Sequence, residues 1–360
     1  MDIARARLAN QGIANPAFTE PGAAVAWLGA LQAQDYLGSL WAIGLRLTSA
    51  TEQRVEQALA ERAIVRTWPM RGTLHFVAWQ DVRWLLALLT RRVIAQTAAR
   101  YRQLELDDAT FARSKAVFAN VLQGGKQLTR AEMSQALEQA NIATAGQRGY
   151  HILVRSAQDG LICFGAPRGK QQTFTLLDEW IPPTNELTRD EALAALAQRY
   201  FTSHGPALLT DFAWWSGLPI KEARVGVELA KAQLAQATIQ GQTYWFSPAP
   251  PISAGHALPI HLLPGFDEYM LGYTNRSASL DPIHAQKIQP GGNGVFSPTI
   301  VIDGQVAGTW KRTFKQGAVL IELAPFRPLT PLERDAFSGA AQRYGAFLGL
   351  PVVLPRPDDG

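Results

Sequence analysis

A chain of 360 residues, 47% of them hydrophobic, has enough apolar side chain to bury a large core and to divide into two or more domains. Its 34 Lys and Arg against 30 Asp and Glu leave a formal charge of +4, which permits an acidic partner without requiring one. A single cysteine, Cys163, excludes a disulfide framework and a thiolate metal site, and no segment has the unbroken apolar length of a membrane span.

The opening Met1-Asp2-Ile3-Ala4-Arg5-Ala6-Arg7 is charged and lacks the apolar stretch of a secretory signal, so a soluble, cytoplasmic, nucleoid-associated protein is expected. Residues 21–31 are small and apolar and read as a helix, followed by Gln32-Ala33-Gln34-Asp35. The two primary amides stand about two-thirds of a turn apart if the helix continues, and on one face if the chain becomes extended. Each amide both donates and accepts hydrogen bonds, though most glutamines are simply surface residues.

Residues 52–60 read as the next helix, and 64–68 and 73–77 as two strands around Pro69-Met70-Arg71-Gly72. A cleaner repeat of this helix-then-hairpin pattern begins at Thr129-Arg130-Ala131-Glu132, a capping-box start for a helix to about residue 140. A second helix at 147–158 follows, then strands 161–164 and 173–177 around the turn-rich tip Ala166-Pro167-Arg168-Gly169-Lys170. A helical pair followed by a basic-tipped hairpin is a winged helix. A third unit opens at the capping box Thr188-Arg189-Asp190-Glu191, continues through a short helix at 209–218 and a helix from 219 to about 237, and ends on strand candidates at Ile239 and 244–246. Trp214 and Trp215, adjacent in an apolar helix, read as core anchors.

Beyond Pro248-Ala249-Pro250-Pro251 the character changes to strands at 261–263, 299–302, 305–310 and 319–323, with Asp303-Gly304 as a two-residue hairpin signal and a closing helix at 331–347. The expected fold class is therefore α+β, with tandem winged-helix units (helix-turn-helix plus β-hairpin) at 1–105, 106–184 and 185–250 and a β-rich C-terminal domain at 251–360. Basic residues recur where helix ends and hairpin tips are expected, at Arg91-Arg92, Arg100-Tyr101-Arg102, Arg168-Gly169-Lys170 and Lys311-Arg312, which suggests a polyanion.

Four stretches carry a resemblance to the AlkZ-like winged-helix DNA glycosylases. They are 31–35, the run Arg66-Thr67-Trp68-Pro69-Met70-Arg71-Gly72-Thr73-Leu74-His75, the run Leu262-Leu263-Pro264-Gly265-Phe266-Asp267-Glu268-Tyr269, and 301–311. The second is the most specific for membership, and the Gln-x-Gln element is the one to which the family's catalysis is assigned. Gln34 at its second position resembles the crosslink-repair branch, whereas the related YcaQ-like branch carries Gln-x-Asp. What the resemblance implies is a C-shaped array whose concave basic channel holds double-stranded damaged DNA, with Gln32 and Gln34 facing a bulky alkyl-purine or crosslinked lesion.

The chemistry agrees with neutral amides. An N7-alkylated guanine already carries positive charge and departs as a neutral base without a proton from the enzyme. The remaining task is to hold water against the sugar carbon as oxocarbenium character develops, a matter of orientation and preorganised dipoles. Gln34 is assigned the more direct contact with water and Gln32 the supporting one. Asp35 completes the catalytic candidates, either adding negative charge near the oxocarbenium or stabilising a turn, with the structural role favoured. No lysine stands out as a Schiff-base nucleophile, so a monofunctional glycosylase is expected.

Candidate DNA contacts are Arg71 on a phosphate, His75 on the channel wall, Arg168 and Lys170 on the second wing, and Lys311 and Arg312 on the C-terminal hairpin. Against these stand a core role for Trp68, an internal hydrogen bond for His75 and solvent exposure for Arg71. Asp267 reads first as a helix cap, with Glu268 beside it facing a channel as the other possibility. The six histidines, His256 and His261 among them, show no ligand spacing, so no metal and no cofactor are expected. The competing function is a non-catalytic winged-helix DNA-binding protein or transcriptional regulator. Such regulators pair as dimers on half-sites, and three winged units without a long dimerisation helix favour a monomer. A winged-helix scaffold with no nucleic-acid role is the third possibility.

Overall fold

The computed structural model describes residues 1–249, 260–292 and 294–355, so His256 and the end of the proline-rich boundary at Pro248–Pro251 lie outside the described residues. Helix α1 (Ile3–Asn10) starts on an Asp2 cap, and α2 (Pro21–Leu28) carries proline in its first turn, where the missing N–H costs nothing. Gly29 at φ 82 stops α2 three residues before the expected end, and the chain leaves it extended as β1 (Leu31–Gln32). Helices α3 (Tyr36–Gly44) and α4 (Glu52–Ala60) follow, the latter capped by Thr51.

Strands β2 (Ile64–Met70) and β3 (Thr73–Ala78) form the expected hairpin, turning on Arg71 and Gly72 at φ 53 and 71. What the sequence did not announce is the third strand: β1 pairs antiparallel with β3, setting Leu31 against Phe76 and Gln32 against His75. Two long helices come next, α5 (Val82–Gln103) and α6 (Asp108–Leu122), so Arg91 and Arg92 lie in mid-helix and not at a helix end.

The second repeat adds an unannounced strand, β4 (Leu128–Thr129), ahead of its expected helices and hairpin, α7 (Arg130–Gln139) on a complete Thr129–Glu132 capping box, α8 (Arg148–Gln158), β5 (Ile162–Phe164) and β6 (Thr173–Leu176), in sheet order β4-β6-β5. After α9 (Leu177–Trp180), helix α10 (Arg189–Ser203) starts on the second capping box, and α11 (Leu209–Ser216) ends on Gly217. Helix α12 (Ile220–Ala230) stops well short of residue 237. Residues 235–239 alternate between half-buried and exposed and pair as β7 (Ala235–Ile239) with β8 (Gln242–Phe246), and this two-residue period ends the helix.

The C-terminal region contains β9 (Ile260–Leu263), α13 (Glu268–Leu271), α14 (Ala285–Ile288), β10 (Thr299–Ile302), β11 (Gln305–Lys315), β12 (Ala318–Pro325), α15 (Pro331–Leu348) and β13 (Val352–Val353). Its five-stranded sheet has the order β13-β12-β11-β10-β9, antiparallel except for β12 with β13, and Asp303-Gly304 makes the expected turn.

The cores pool residues that are distant in sequence. Leu28, Leu31 and Trp41 pack with Leu262, Ile300, Trp310 and Phe347, and the indole N–H of Trp41 donates to the Leu262 carbonyl at 2.7 Å. A second core joins Ala30, Val65 and Leu85 to Tyr200, Phe212 and Trp215. Trp68 lies in a third, against Phe164, as its core reading expected. Because Ala30 belongs to one core and Leu31 to another, the Gln-x-Gln segment is pinned where two cores meet. Among the described residues no helix is long and apolar enough to cross a membrane.

Candidate active site

Residues 32 and 33 are fixed by their backbone before their side chains act. The Gln32 N–H donates to Glu268 Oε1 at 3.1 Å, the Ala33 N–H to the Leu74 carbonyl at 2.8 Å, and the Ala33 carbonyl accepts from Arg66 Nη2 at 2.7 Å. The extended chain places Gln32 and Gln34 on one face. Gln32 is buried and Gln34 exposed, and Gln32 Nε2 donates to Gln34 Oε1 at 2.5 Å. Of the two geometries open to the pair, the extended one is found.

Arg71 sets the direction of this amide chain. Its Nη1 donates to the Trp215 carbonyl, and its Nη2 lies 3.4 Å from Gln32 Oε1 and 3.3 Å from His75 Nε2. A guanidinium has no acceptor, so the Gln32 oxygen must face it and the Gln32 nitrogen must face Gln34. Gln34 Oε1 then accepts from Gln32 and keeps a second lone pair. Arg71 reaches this position because its hairpin turn is left-handed and because Gly217 lets its Cγ approach the end of α11; a Cβ there would sit 3.3 Å from it. Arg71 is half-buried and not solvent-exposed, and it borders the cavity with its guanidinium turned to Trp215, Gln32 and His75.

His75 has no exposed surface, so its place on a channel wall is corrected and the internal reading holds. Its Nδ1–H donates to the Thr73 carbonyl at 2.9 Å, which leaves Nε2 as an acceptor toward Arg71. Burial, reinforced by the Arg71 charge, lowers its pKa to about 3. The ring is neutral and supports the guanidinium.

Beneath Gln32 lies Glu268, fully buried. Its carboxylate accepts from the Gln32 N–H and from the Trp215 indole N–H at 2.9 Å, and His204 Nε2 approaches to 3.5 Å. Burial pushes the carboxyl up, but His204 and the Arg71 guanidinium outweigh it and hold the group at about 2. Asp267 caps α13 through the Tyr269 N–H, as expected, and also takes both Nη groups of buried Arg46 at 2.9 and 3.1 Å. Asp35 stands at the start of α3 without a capping bond and pairs with Arg312 at 3.4 Å.

These side chains border a cavity of about 770 Å³ lined by Gln32, Gln34, Asp35, Arg71, Trp214 and Arg276, with further residues from 266 to 296. Trp215 is buried, as a core anchor should be, but Trp214 is 38% exposed and walls the cavity, which corrects its core reading. The helical period turns one indole inward and the next outward.

The remaining expected DNA contacts do not line the cavity. Arg168 spends its charge within its own unit, on Glu132 at 2.9 Å and the Gln127 carbonyl at 2.6 Å. Lys170 is exposed at the same tip. Lys311 and Arg312 alternate across β11 and face opposite ways: Lys311 is exposed, while Arg312 turns to Asp35 and the Tyr344 hydroxyl. Sequence reasoning gave no role to Arg276 or Arg66 and ranked Glu268 below its neighbour; only the run 262–269 pointed to the last. Among the described residues no cluster of three His, Cys, Asp or Glu is placed to hold a metal ion.

The model of the family described as DNA glycosylase AlkZ-like matches residues 25–347. The interstrand DNA cross-link repair glycosylase of Streptomyces sahachiroi is 25% identical, with 93% of this chain and 94% of that protein covered. The solved structure of Streptomyces sahachiroi DNA glycosylase AlkZ superposes with a TM-score of 0.77 at 23% identity, covering 98% of both chains, and so shares the fold.

Proposed function

The chain belongs to the AlkZ-like DNA glycosylase family, and from that premise we propose that it acts as a monomer on double-stranded damaged DNA, releasing cationic N7-alkylpurines and unhooking interstrand crosslinks formed at N7. The observation that carries the reading is the Gln32–Gln34 amide pair, joined at 2.5 Å and oriented by Arg71 at the edge of a cavity.

In the proposed reaction the bond from C1′ to the base nitrogen breaks and its electrons neutralise the cationic purine. Water held by the free lone pair of Gln34 Oε1 adds to C1′ and gives its proton to solvent. Gln32 holds Gln34 and receives its own polarity from Arg71, whose charge is offset by Glu268. Neutral amides supply no proton, and an N7-alkylpurine needs none. No lysine lines the cavity among the described residues, which supports hydrolysis to an abasic site without a Schiff base.

The test incubates excess protein with duplexes carrying N7-methylguanine or an N7-linked crosslink and measures alkali-labile abasic sites. Gln32→Ala and Gln34→Ala are expected to bind these duplexes like the parent and to lose about 100-fold or more in excision rate, the scale of removing a preorganised polar group. A parent that binds duplex but releases no base from any cationic purine would leave the non-catalytic DNA-binding reading in its place.

A further inference from the structure

Arg276 belongs to none of the motifs above and takes no part in the amide network, yet it lines the same cavity as Gln32 and Gln34. Its Nε donates to the Met270 carbonyl at 2.7 Å, which anchors the inner edge of the guanidinium. Its Cζ lies 5.6 Å from the Trp214 ring and 4.8 Å from the Phe296 ring, so aromatic surfaces restrict the plane.

Among the described residues no carboxylate reaches ion-pair distance of Arg276. Asp211, the acid whose charge it feels, is occupied by the backbone N–H groups of Leu208, Thr274 and Asn275 and by the Thr274 hydroxyl. A guanidinium carries five N–H donors in a fixed fork. Among the described residues only the one on Nε finds a hydrogen-bond partner, which leaves both Nη groups of a half-buried, pre-oriented cation free of one in the cavity wall.

We propose that Arg276 is a phosphate clamp: its two Nη groups take the non-bridging oxygens of one phosphodiester flanking the nucleotide presented to Gln32 and Gln34. This rests on the reading of the cavity as a DNA site. The fork matches a phosphate bidentately. Charge points the same way, because a bare guanidinium in this cavity would oppose a cationic base, whereas a phosphate of the same strand cancels it. Trp214 then acts through Arg276, keeping its plane turned toward the strand.

The experiment uses duplexes carrying 2′-fluoro N7-methyldeoxyguanosine, which resists excision, with a single methylphosphonate moved across the two phosphates on each side of the lesion. Binding of the parent and of Arg276→Gln is followed by fluorescence anisotropy over a salt series. One methylphosphonate position is expected to weaken the parent about tenfold, Arg276→Gln to weaken the unmodified duplex to a similar extent, and the variant to ignore that position. The slope of log affinity against log salt should fall in magnitude by about one.

A parent indifferent to every single methylphosphonate overturns the clamp without reference to any variant. So does an Arg276→Gln protein that keeps the parent's sensitivity, which would place the guanidinium on the base. Excision is scored separately: coupling between Arg276 and one phosphate, in a protein that releases no base, sinks the glycosylase reading and leaves the clamp standing.

Discussion

Replacing Glu268 by glutamine keeps the shape of the side chain and removes its charge, and the structure fixes what that costs. Two donors converge on the carboxylate, the Gln32 N–H and the Trp215 indole N–H. Glutamine has a single acceptor oxygen, so its NH₂ must face one of them. One buried donor left unsatisfied costs about 1–3 kcal/mol, and the surviving bond falls from a charge-assisted to a neutral one, a loss of about 1 kcal/mol. The sum is about 3 kcal/mol. The lowered carboxyl agrees in direction and scale: a group held at about 2 against an ordinary 4.5 corresponds, at 1.36 kcal/mol per unit, to about 3 kcal/mol.

The sign follows from the lowered value. Between about 2 and 4.5 the unfolded chain binds the proton and the folded chain does not, so this contribution is complete above 4.5 and disappears as the pH falls toward 2. Urea denaturation of Glu268→Gln, followed by tryptophan fluorescence and circular dichroism, should show a deficit of about 3 kcal/mol at pH 7 that closes as the pH falls below 4.5. The variant should also excise more slowly than the parent on N7-methylguanine while binding duplex, since residue 32 loses its anchor. A deficit below about 1 kcal/mol, or one of equal size at pH 7 and pH 3, would refute the placement of this charge.

Three further outcomes follow from the same geometry. Asp267→Asn breaks the buried two-pronged pair with Arg46 and should destabilise by about 3–5 kcal/mol, checked by the same denaturation. Since His75 is held neutral down to about 3, the single-turnover rate should show no His75 inflection between pH 5 and 8; a step in that range that vanishes in His75→Gln would contradict it. The Asp35–Arg312 pair is partly exposed and at 3.4 Å, so Asp35→Asn should cost no more than about 1 kcal/mol of stability. Excision within a few-fold of the parent would fix Asp35 as structural, and a loss of 100-fold at unchanged stability would make it catalytic.

Local chemistry written in adjacent residues was legible in the sequence. The Thr129–Glu132 and Thr188–Glu191 capping boxes, the Asp303-Gly304 turn and the hairpin strands on either side of Arg71 all form from neighbours in the chain. What escaped is what the tertiary fold supplies. Strand β1 exists only because β3 offers it an edge, pairing Gln32 with His75 far along the chain, and no pattern in two residues could announce it. Trp214 and Trp215 are indistinguishable by type, and only the packing of α11 against Tyr200 decides which indole is buried. Basic residues were read as DNA contacts from their charge and their place at hairpins, and sequence could not show that Arg168 pairs with Glu132 and Arg312 with Asp35. Arg276 is the converse, an unremarked arginine whose acid neighbour is already taken.

A site built on two amides cannot change its own charge, so its polarity has to be imposed from outside. Arg71 does this by geometry, because a group that only donates fixes which end of Gln32 faces it, and through Gln32 which atom of Gln34 is engaged. Glu268 does it by charge, balancing the guanidinium from below and tethering the Gln32 backbone. Glu268 lies beneath the amides and outside the cavity lining, while Arg71 borders the cavity beside them with its donors directed to Gln32, His75 and the Trp215 carbonyl. His75, lowered to about 3, and Glu268, held at about 2, stay in one protonation state across the neutral range. Such an arrangement suits a reaction whose substrate carries its own leaving-group charge, and it gives a reason why the hairpin arginine Arg71 directs its donors to Gln32 and the Trp215 carbonyl.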